Sequence, residues 1–149
     1  MPNDQDESLH LFVVLARAYE WVAAHAERDI KRHGLNTTEY GVLELLYHKG
    51  PHPLQQIGEK ILMSSGNITY VVDKLERKGL VVRKPCHADR RVSYADITET
   101  GIAFLNDAFP YHRQVVATAV AGLTADEKQQ AIALLKKLGY SAKESYKQA

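Results

Sequence analysis

Residues 64–101 read SSGNITYVVDKLERKGLVVRKPCHADRRVSYADITETG, and the pattern in this stretch decides the architecture of the chain. Ile68, Val71, Val72 and Leu75 recur at three- and four-residue spacing, which marks the inward face of an amphipathic helix. The opposite face carries Asn67, Tyr70, Lys74 and Arg77, all polar-tipped and able to donate hydrogen bonds. Ser64 stands where its hydroxyl can cap this helix, which is expected from about Ser65 to Lys78. Gly79 follows as a residue that tolerates the left-handed backbone of a helix end. Leu80 to Lys84 then reads as a strand, Pro85 to Arg90 as a loop and Arg91 to Ile97 as a returning strand. In the second strand Val92, Tyr94 and Asp96 share one side, Ser93, Ala95 and Ile97 the other. Thr98-Glu99-Thr100-Gly101 opens the next helix.

Upstream, Leu9, Phe12, Val13, Ala16, Tyr19, Ala23, Ala26 and Ile30 line one face of a long helix, with Gly34 as its stop. Asn36 or Thr37 caps a second helix over Thr38 to Tyr47. Gly50, Pro51 and Pro53 break the chain, and a short helix follows from about Leu54 to Ile61. Downstream, Ile102, Leu105, Phe109, Val115, Val116 and Ala119 mark another long helix. Pro110 lies inside it, so a kink or break is expected there. Thr124 and Glu127 have capping-box spacing, and a last helix should run to about Leu138. The expected fold is mainly α with a small β-hairpin wing, a winged helix-turn-helix flanked by long helices. Residues 1–34 would be an N-terminal dimerisation helix, 35–100 the winged module and 101–149 the C-terminal dimerisation helices. The first helix and the last two carry apolar stripes that the small module cannot cover, so pairing of two chains is the way to bury them.

At 149 residues with 45% hydrophobic and 25% charged side chains, the composition is that of a globular protein, with no run of the roughly 18–20 apolar residues that a membrane span needs. The polar, acidic stretch Met1 to Ser8 resembles neither a secretory signal nor a transit peptide. A lone cysteine, Cys86, excludes an internal disulfide framework and suits a reducing compartment, so a cytoplasmic location is expected. The net charge is only +1, but its distribution is uneven. Lys60 to Arg91 holds eight basic against three acidic side chains, a surplus of five, which leaves the remainder of the chain at −4. A phosphate-binding face on an otherwise acidic protein has this signature, and so does a plain solvated surface. Enzyme motifs are missing from the sequence: no phosphate-cradling glycine loop, no Gly-x-Ser-x-Gly elbow, no His-Glu-x-x-His. His48 and His52 are four apart, but Gly50 and Pro51 intervene, so no metal site and no cofactor are expected.

A helix with a polar outer face, followed by an arginine-tipped hairpin, has the shape needed to read double-stranded DNA. The major groove admits one α-helix, and the negative potential of the neighbouring minor groove attracts guanidinium groups. A small helical domain with an ornamental hairpin, or a module recruiting a protein partner, is the competing reading. Three local motifs favour the first. Asp73-Lys74-Leu75-Glu76-Arg77-Lys78-Gly79-Leu80-Val81, Asp89-Arg90-Arg91 and Ile97-Thr98-Glu99-Thr100-Gly101 resemble the pattern of the MarR family of bacterial regulators, with isoleucine in place of leucine in the last motif. The likeness extends over nearly the whole chain.

The resemblance implies a homodimer on a short pseudo-palindromic operator, repressing transcription or, as sequence leaves open, activating it. It implies that Ser64 and Ser65 touch phosphate at the start of the recognition helix. Asn67, Thr69, Tyr70 and Lys74 would contribute to the DNA-facing surface, with Tyr70 standing where many relatives place arginine. Arg91 would sit in the wing, oriented by Asp73 or Asp89, while Arg90 reaches the minor groove. Release by a small aromatic or phenolic compound is a further implication. Pro53-Leu54-Gln55-Gln56-Ile57-Gly58 together with Ile68 to Leu75 is similar to the quinone- and hydroquinone-responsive branch. Tyr19, Trp21, Tyr40 and Tyr47 are candidates to line the effector pocket, or are simply core aromatics. Cys86, among Arg83, Lys84, Arg90 and Arg91, is a candidate redox switch, or a passive thiol.

Overall fold

The computed structural model describes residues 4–61 and 65–149. Ser64, the expected cap, lies outside the described residues. The elements are α1 (Asp4–Arg32), α2 (Thr37–Lys49), β1 (His52–Pro53), α3 (Leu54–Lys60), α4 (Ser65–Arg77), β2 (Val81–Pro85), β3 (Ser93–Ile97), α5 (Glu99–Ala119) and α6 (Ala125–Gln148). The fold is mainly helical with one small antiparallel sheet, ordered β1-β3-β2.

Local chemistry sets most of the boundaries. Asn36 caps α2 through a reciprocal box: its Oδ1 accepts the Glu39 N–H at 2.8 Å, and Glu39 Oε1 accepts the Asn36 N–H at 3.1 Å. Thr124 and Glu127 do the same for α6, at 3.2 and 2.9 Å. Gly79, at φ +76°, ends α4 in the left-handed region. There the Leu80 N–H reaches back to the Leu75 carbonyl at 3.0 Å, so the helix stops and the chain turns directly into β2. The hairpin is in continuous register from Val81↔Ile97 to Pro85↔Ser93.

Three expectations need correction. The sheet has a third strand, β1, paired to the far edge of β3 through His52↔Ala95 and Pro53↔Tyr94. Proline lacks a ladder donor, and an edge strand of two residues is where a sheet tolerates it. Pro110 does not break α5, which is continuous from Glu99 to Ala119. The proline forfeits one backbone bond, and neighbouring turns hold the helix together. Finally, α6 passes through Gly139 to Gln148 rather than stopping near Leu138. A mid-helix glycine costs only about 1 kcal/mol, and the Ala, Lys and Glu residues beyond it favour helix.

The chain divides into two compact units, 1–116 and 117–149. In the first, Val42, Leu43 and Leu46 of α2, Ile57 of α3, Ile68, Val72 and Leu75 of α4 and Val81 of β2 form a fully buried core. Each such side chain contributes about 1.5–3 kcal/mol by leaving water. Leu105 and Ala108 of α5 join this buried set. Two polar ties fix the helices around it. The buried carboxylate of Asp29 on α1 accepts from His112 Nδ1 on α5 at 3.2 Å. Buried Glu39 receives Lys78 Nζ at 3.0 Å, and the same ammonium donates to the Gly34 carbonyl at 3.0 Å. The C-terminal end of α4 is thereby tied to the loop between α1 and α2.

In each unit large apolar side chains remain uncovered. Leu9, Leu11, Phe12, Val13 and Val14 of α1 are exposed, as are Ile132, Leu134, Leu135 and Leu138 of α6. No helix among the described residues is long and apolar enough to cross a membrane.

Candidate nucleic-acid interface

Helix α4 is amphipathic, as its sequence requires: Ile68, Val71, Val72 and Leu75 are buried, while Asn67, Thr69, Tyr70 and Arg77 are exposed. Lys74 Nζ sits 5.3 Å from the centre of the Tyr70 ring, a cation–π distance. That arrangement holds the ammonium against the outer face of the helix. Ser65 lies in the first turn of this helix.

The wing tip is built by one aspartate. Asp89 accepts from the Arg91 backbone N–H at 3.0 Å, from Arg91 Nε at 3.1 Å and from Nη2 at 3.3 Å. Those bonds, the side-chain pair first, hold the Asp89 carboxyl below its ordinary value of 3.8. The Cys86 N–H to Val92 carbonyl bond and the Val92 N–H to Asp89 carbonyl bond, both 3.0 Å, close the loop. Arg91 is thus oriented although its side chain is 91% exposed. Arg90, next to it, is exposed as well. Cys86 is half-buried within the same loop.

Asp73 has a different partner from the one that the sequence suggested. Its Oδ1 lies 2.6 Å from Arg83 Nη2, and among the described residues Arg91 is held by Asp89. The reason is position: Arg83 lies two residues into β2, beside the C-terminal half of α4, whereas Arg91 lies in the loop between β2 and β3. Arg83 also bonds Glu76 Oε1 at 3.0 Å through Nη1 and the Thr69 carbonyl at 3.2 Å through Nη2. In the sequence Arg83 reads only as part of a basic cluster. The available signal was the acid pair Asp73 and Glu76, one helical turn apart and followed by a strand arginine.

The four aromatics proposed for an effector pocket do not converge within the chain. Tyr19 and Trp21 on α1 are 73% and 72% exposed, and Tyr40 is core. Its hydroxyl is buried without a hydrogen-bond partner among the described residues. Burial first, then the charges of Glu44 and Asp29, push its pKa up to about 12. Tyr47 borders a cavity of about 330 Å³ between α2 and α5, lined by Glu44, Tyr47, His48, Leu105, Asn106, Phe109 and Pro110. Tyr47 donates to Asn106 Oδ1 across it at 2.9 Å. Among the described residues, no group of three or more His, Cys, Asp or Glu side chains is placed to hold a metal ion.

A polar-faced helix between a packed helix pair and an arginine-tipped hairpin defines the winged helix-turn-helix class of protein. Residues 35–93 match the MarR family model. The chain is 52% identical over 139 residues to the HTH-type transcriptional regulator MhqR of Bacillus subtilis (strain 168), covering 93% of this chain and 96% of that one. Among solved structures it is similar to a probable transcriptional regulator from Pseudomonas aeruginosa, with a TM-score of 0.76 and 28% identity over 85% of this chain and 94% of that one. It shares its fold with Sco3205, a MarR family regulator from Streptomyces coelicolor solved in complex with DNA. There the TM-score is 0.82 at 22% identity, over 91% of this chain and 87% of that one. This chain belongs to the MarR family.

Proposed function

We propose that this regulator is a cytoplasmic repressor that holds a pseudo-palindromic operator as a homodimer and releases it on binding a small phenolic or quinone-type compound. The observation that carries the DNA-binding geometry is Arg91, nearly fully exposed yet fixed by three bonds to Asp89. A restrained guanidinium loses little freedom on docking, which makes it an effective minor-groove probe. The outer face of α4 enters the adjacent major groove, with Asn67, Tyr70 and Lys74 towards the bases and Thr69 near the backbone. The likeness in fold to a regulator solved on DNA supports this placement.

The dimer is supported by the uncovered apolar stripes of α1 and α6. Pairing two chains buries them and sets two recognition helices about 34 Å apart, one turn of B-DNA. The effector reading is supported by the α2–α5 cavity, whose size suits a one-ring compound. Leu105, Phe109 and Pro110 would take the ring, and Glu44, Tyr47 and Asn106 its polar substituents. A ligand there shifts the equilibrium only if it fits one spacing of α2 and α5 better than the other.

The test is a gel shift with wild type and Arg91→Ala on a duplex selected from a random-sequence pool. Wild type should bind, and the variant should lose the shift while remaining folded and dimeric. An unchanged shift would remove the wing from the mechanism. Phenols and quinones should raise the melting temperature and release the duplex; if no member of the panel does either, the effector half of the reading fails.

A further inference from the structure

Arg83 is among the most heavily engaged cations of the molecule. Its side chain is 25% exposed, and its guanidinium meets the Asp73 carboxylate at 2.6 Å, the Glu76 carboxylate at 3.0 Å and the Thr69 carbonyl at 3.2 Å. Its own backbone N–H donates to the second Glu76 oxygen at 3.0 Å. These bonds all run from β2 to one short stretch of α4. Arg83 is paired in register with the buried Ala95, at the middle of the hairpin. The bonds therefore grip the wing at its centre and join it to the helix beside it.

We propose that Arg83 is a positioning residue for DNA binding: it sets the angle of the wing against α4 and neutralises Asp73 and Glu76, and it does not itself touch DNA. This rests on the reading that α4 and the wing form the DNA face. Two observations carry it. The guanidinium's donors are directed at protein acceptors, so a phosphate would have to displace charge-assisted bonds already made. The two acids lie on the helix meant to approach a polyanion, and with Arg83 removed they would repel it unscreened. The basic hairpin therefore divides by role. Arg83 is committed internally and Lys84 is paired with Asp96 at 3.3 Å, while Arg90 and the oriented Arg91 face outward.

Lysine and arginine differ here in a useful way. One ammonium cannot span two carboxylates and a carbonyl in the planar arrangement that the guanidinium fork provides, whereas either cation can serve a phosphate. Fluorescence anisotropy on a duplex selected from a random-sequence pool, measured across a salt series, separates the roles. A positioning residue predicts that Arg83→Met and Arg83→Lys both weaken binding, roughly tenfold, with the slope of log K against log salt unchanged. Adding Asp73→Asn and Glu76→Gln to Arg83→Met should recover only the part of that affinity lost to unscreened charge, because the clamp stays broken. The proposal is overturned if Arg83→Lys binds like wild type, or if Arg83→Met makes the slope shallower by about 0.9, the value of one phosphate no longer neutralised.

Hydrogen exchange on the free protein tests the clamp without DNA. Arg83→Met should speed exchange at residues 81–84, and Arg91→Ala should not. Unchanged exchange in Arg83→Met would refute the clamp. Faster exchange in Arg83→Met alongside an Arg91→Ala variant that binds normally would instead place the error in the assignment of the DNA face.

Discussion

Replacing Gly101 by alanine tests how the wing is rooted in the domain. Gly101 sits in the first turn of α5, where its N–H donates to Thr98 Oγ1 at 3.0 Å. A Cβ added there would collide with the Leu80 carbonyl oxygen and come within 2.7 Å of Ile97 Cγ1. Neither neighbour can yield freely. Leu80 is buried, and its carbonyl accepts the Thr98 N–H at 3.0 Å. Thr98 also donates its hydroxyl to the Gly79 carbonyl at 2.6 Å, so the strand ends and the start of α5 form one knot. Overpacking of this kind costs about 1–3 kcal/mol, and weakening the Leu80–Thr98 bond adds about 1 kcal/mol. The gain in helix propensity from glycine to alanine offsets roughly 1 kcal/mol. The net expectation is a loss of about 1–3 kcal/mol, or roughly 2–12 °C in melting temperature for a chain of this length. Gly139→Ala is the internal control, because it lies in α6 with nothing within 4 Å of the added carbon. It should gain about 0.4–1 kcal/mol. The assay is urea unfolding followed by circular dichroism. If Gly101→Ala proves as stable as wild type while Gly139→Ala gains as expected, the close approach of Leu80 to α5 is not what requires glycine there.

Tyr40→Phe should leave stability unchanged or raise it by about 1 kcal/mol, because it removes a buried hydroxyl that has no partner among the described residues; a loss above about 1 kcal/mol in thermal unfolding would mean that the hydroxyl is hydrogen-bonded in solution. Asp89 should titrate below its ordinary 3.8 in a carboxyl NMR titration and return towards it in Arg91→Ala, since the arginine is the first cause of the shift. The sign is that of a depressed carboxylate: the pair's contribution is present above the unfolded value and is lost as pH falls through the folded one. Wing geometry, followed by exchange of the Arg91 amide, should therefore be constant near neutrality and loosen only in acid. A wing that loosened on passing from weakly acidic to weakly alkaline solution would contradict this.

What was legible in the sequence is what local chemistry controls. Asn36 with Glu39 and Thr124 with Glu127 satisfy helix-end donors within three residues, so their spacing alone announces two helix starts. The three-and-four rhythm of Ile68, Val71, Val72 and Leu75 announces which side of α4 is dry, and by subtraction which side can meet DNA. Gly79 marks the turn into the wing because a side chain there would be strained at φ +76°. The Asp89–Arg91 pair, two residues apart, belongs to the same class.

Tertiary structure alone decided the pairings between segments distant in the chain. Pro53 pairs with Tyr94 across 41 residues, and no local preference selects that partner. Asp73 was by sequence a candidate to hold Arg91 and instead holds Arg83, because β2 runs beside α4 and brings that guanidinium nearest. Tyr40 and Tyr47 lie seven apart on one helix, yet one is sealed in the core against the His112 ring of α5 and the other borders a cavity, reaching α5 through its hydroxyl. Sequence specifies the caps, periods and turns because their energies depend on neighbours a few bonds away. Which charges cancel and which remain exposed for a ligand depends on through-space distances, and those exist only once the chain has folded.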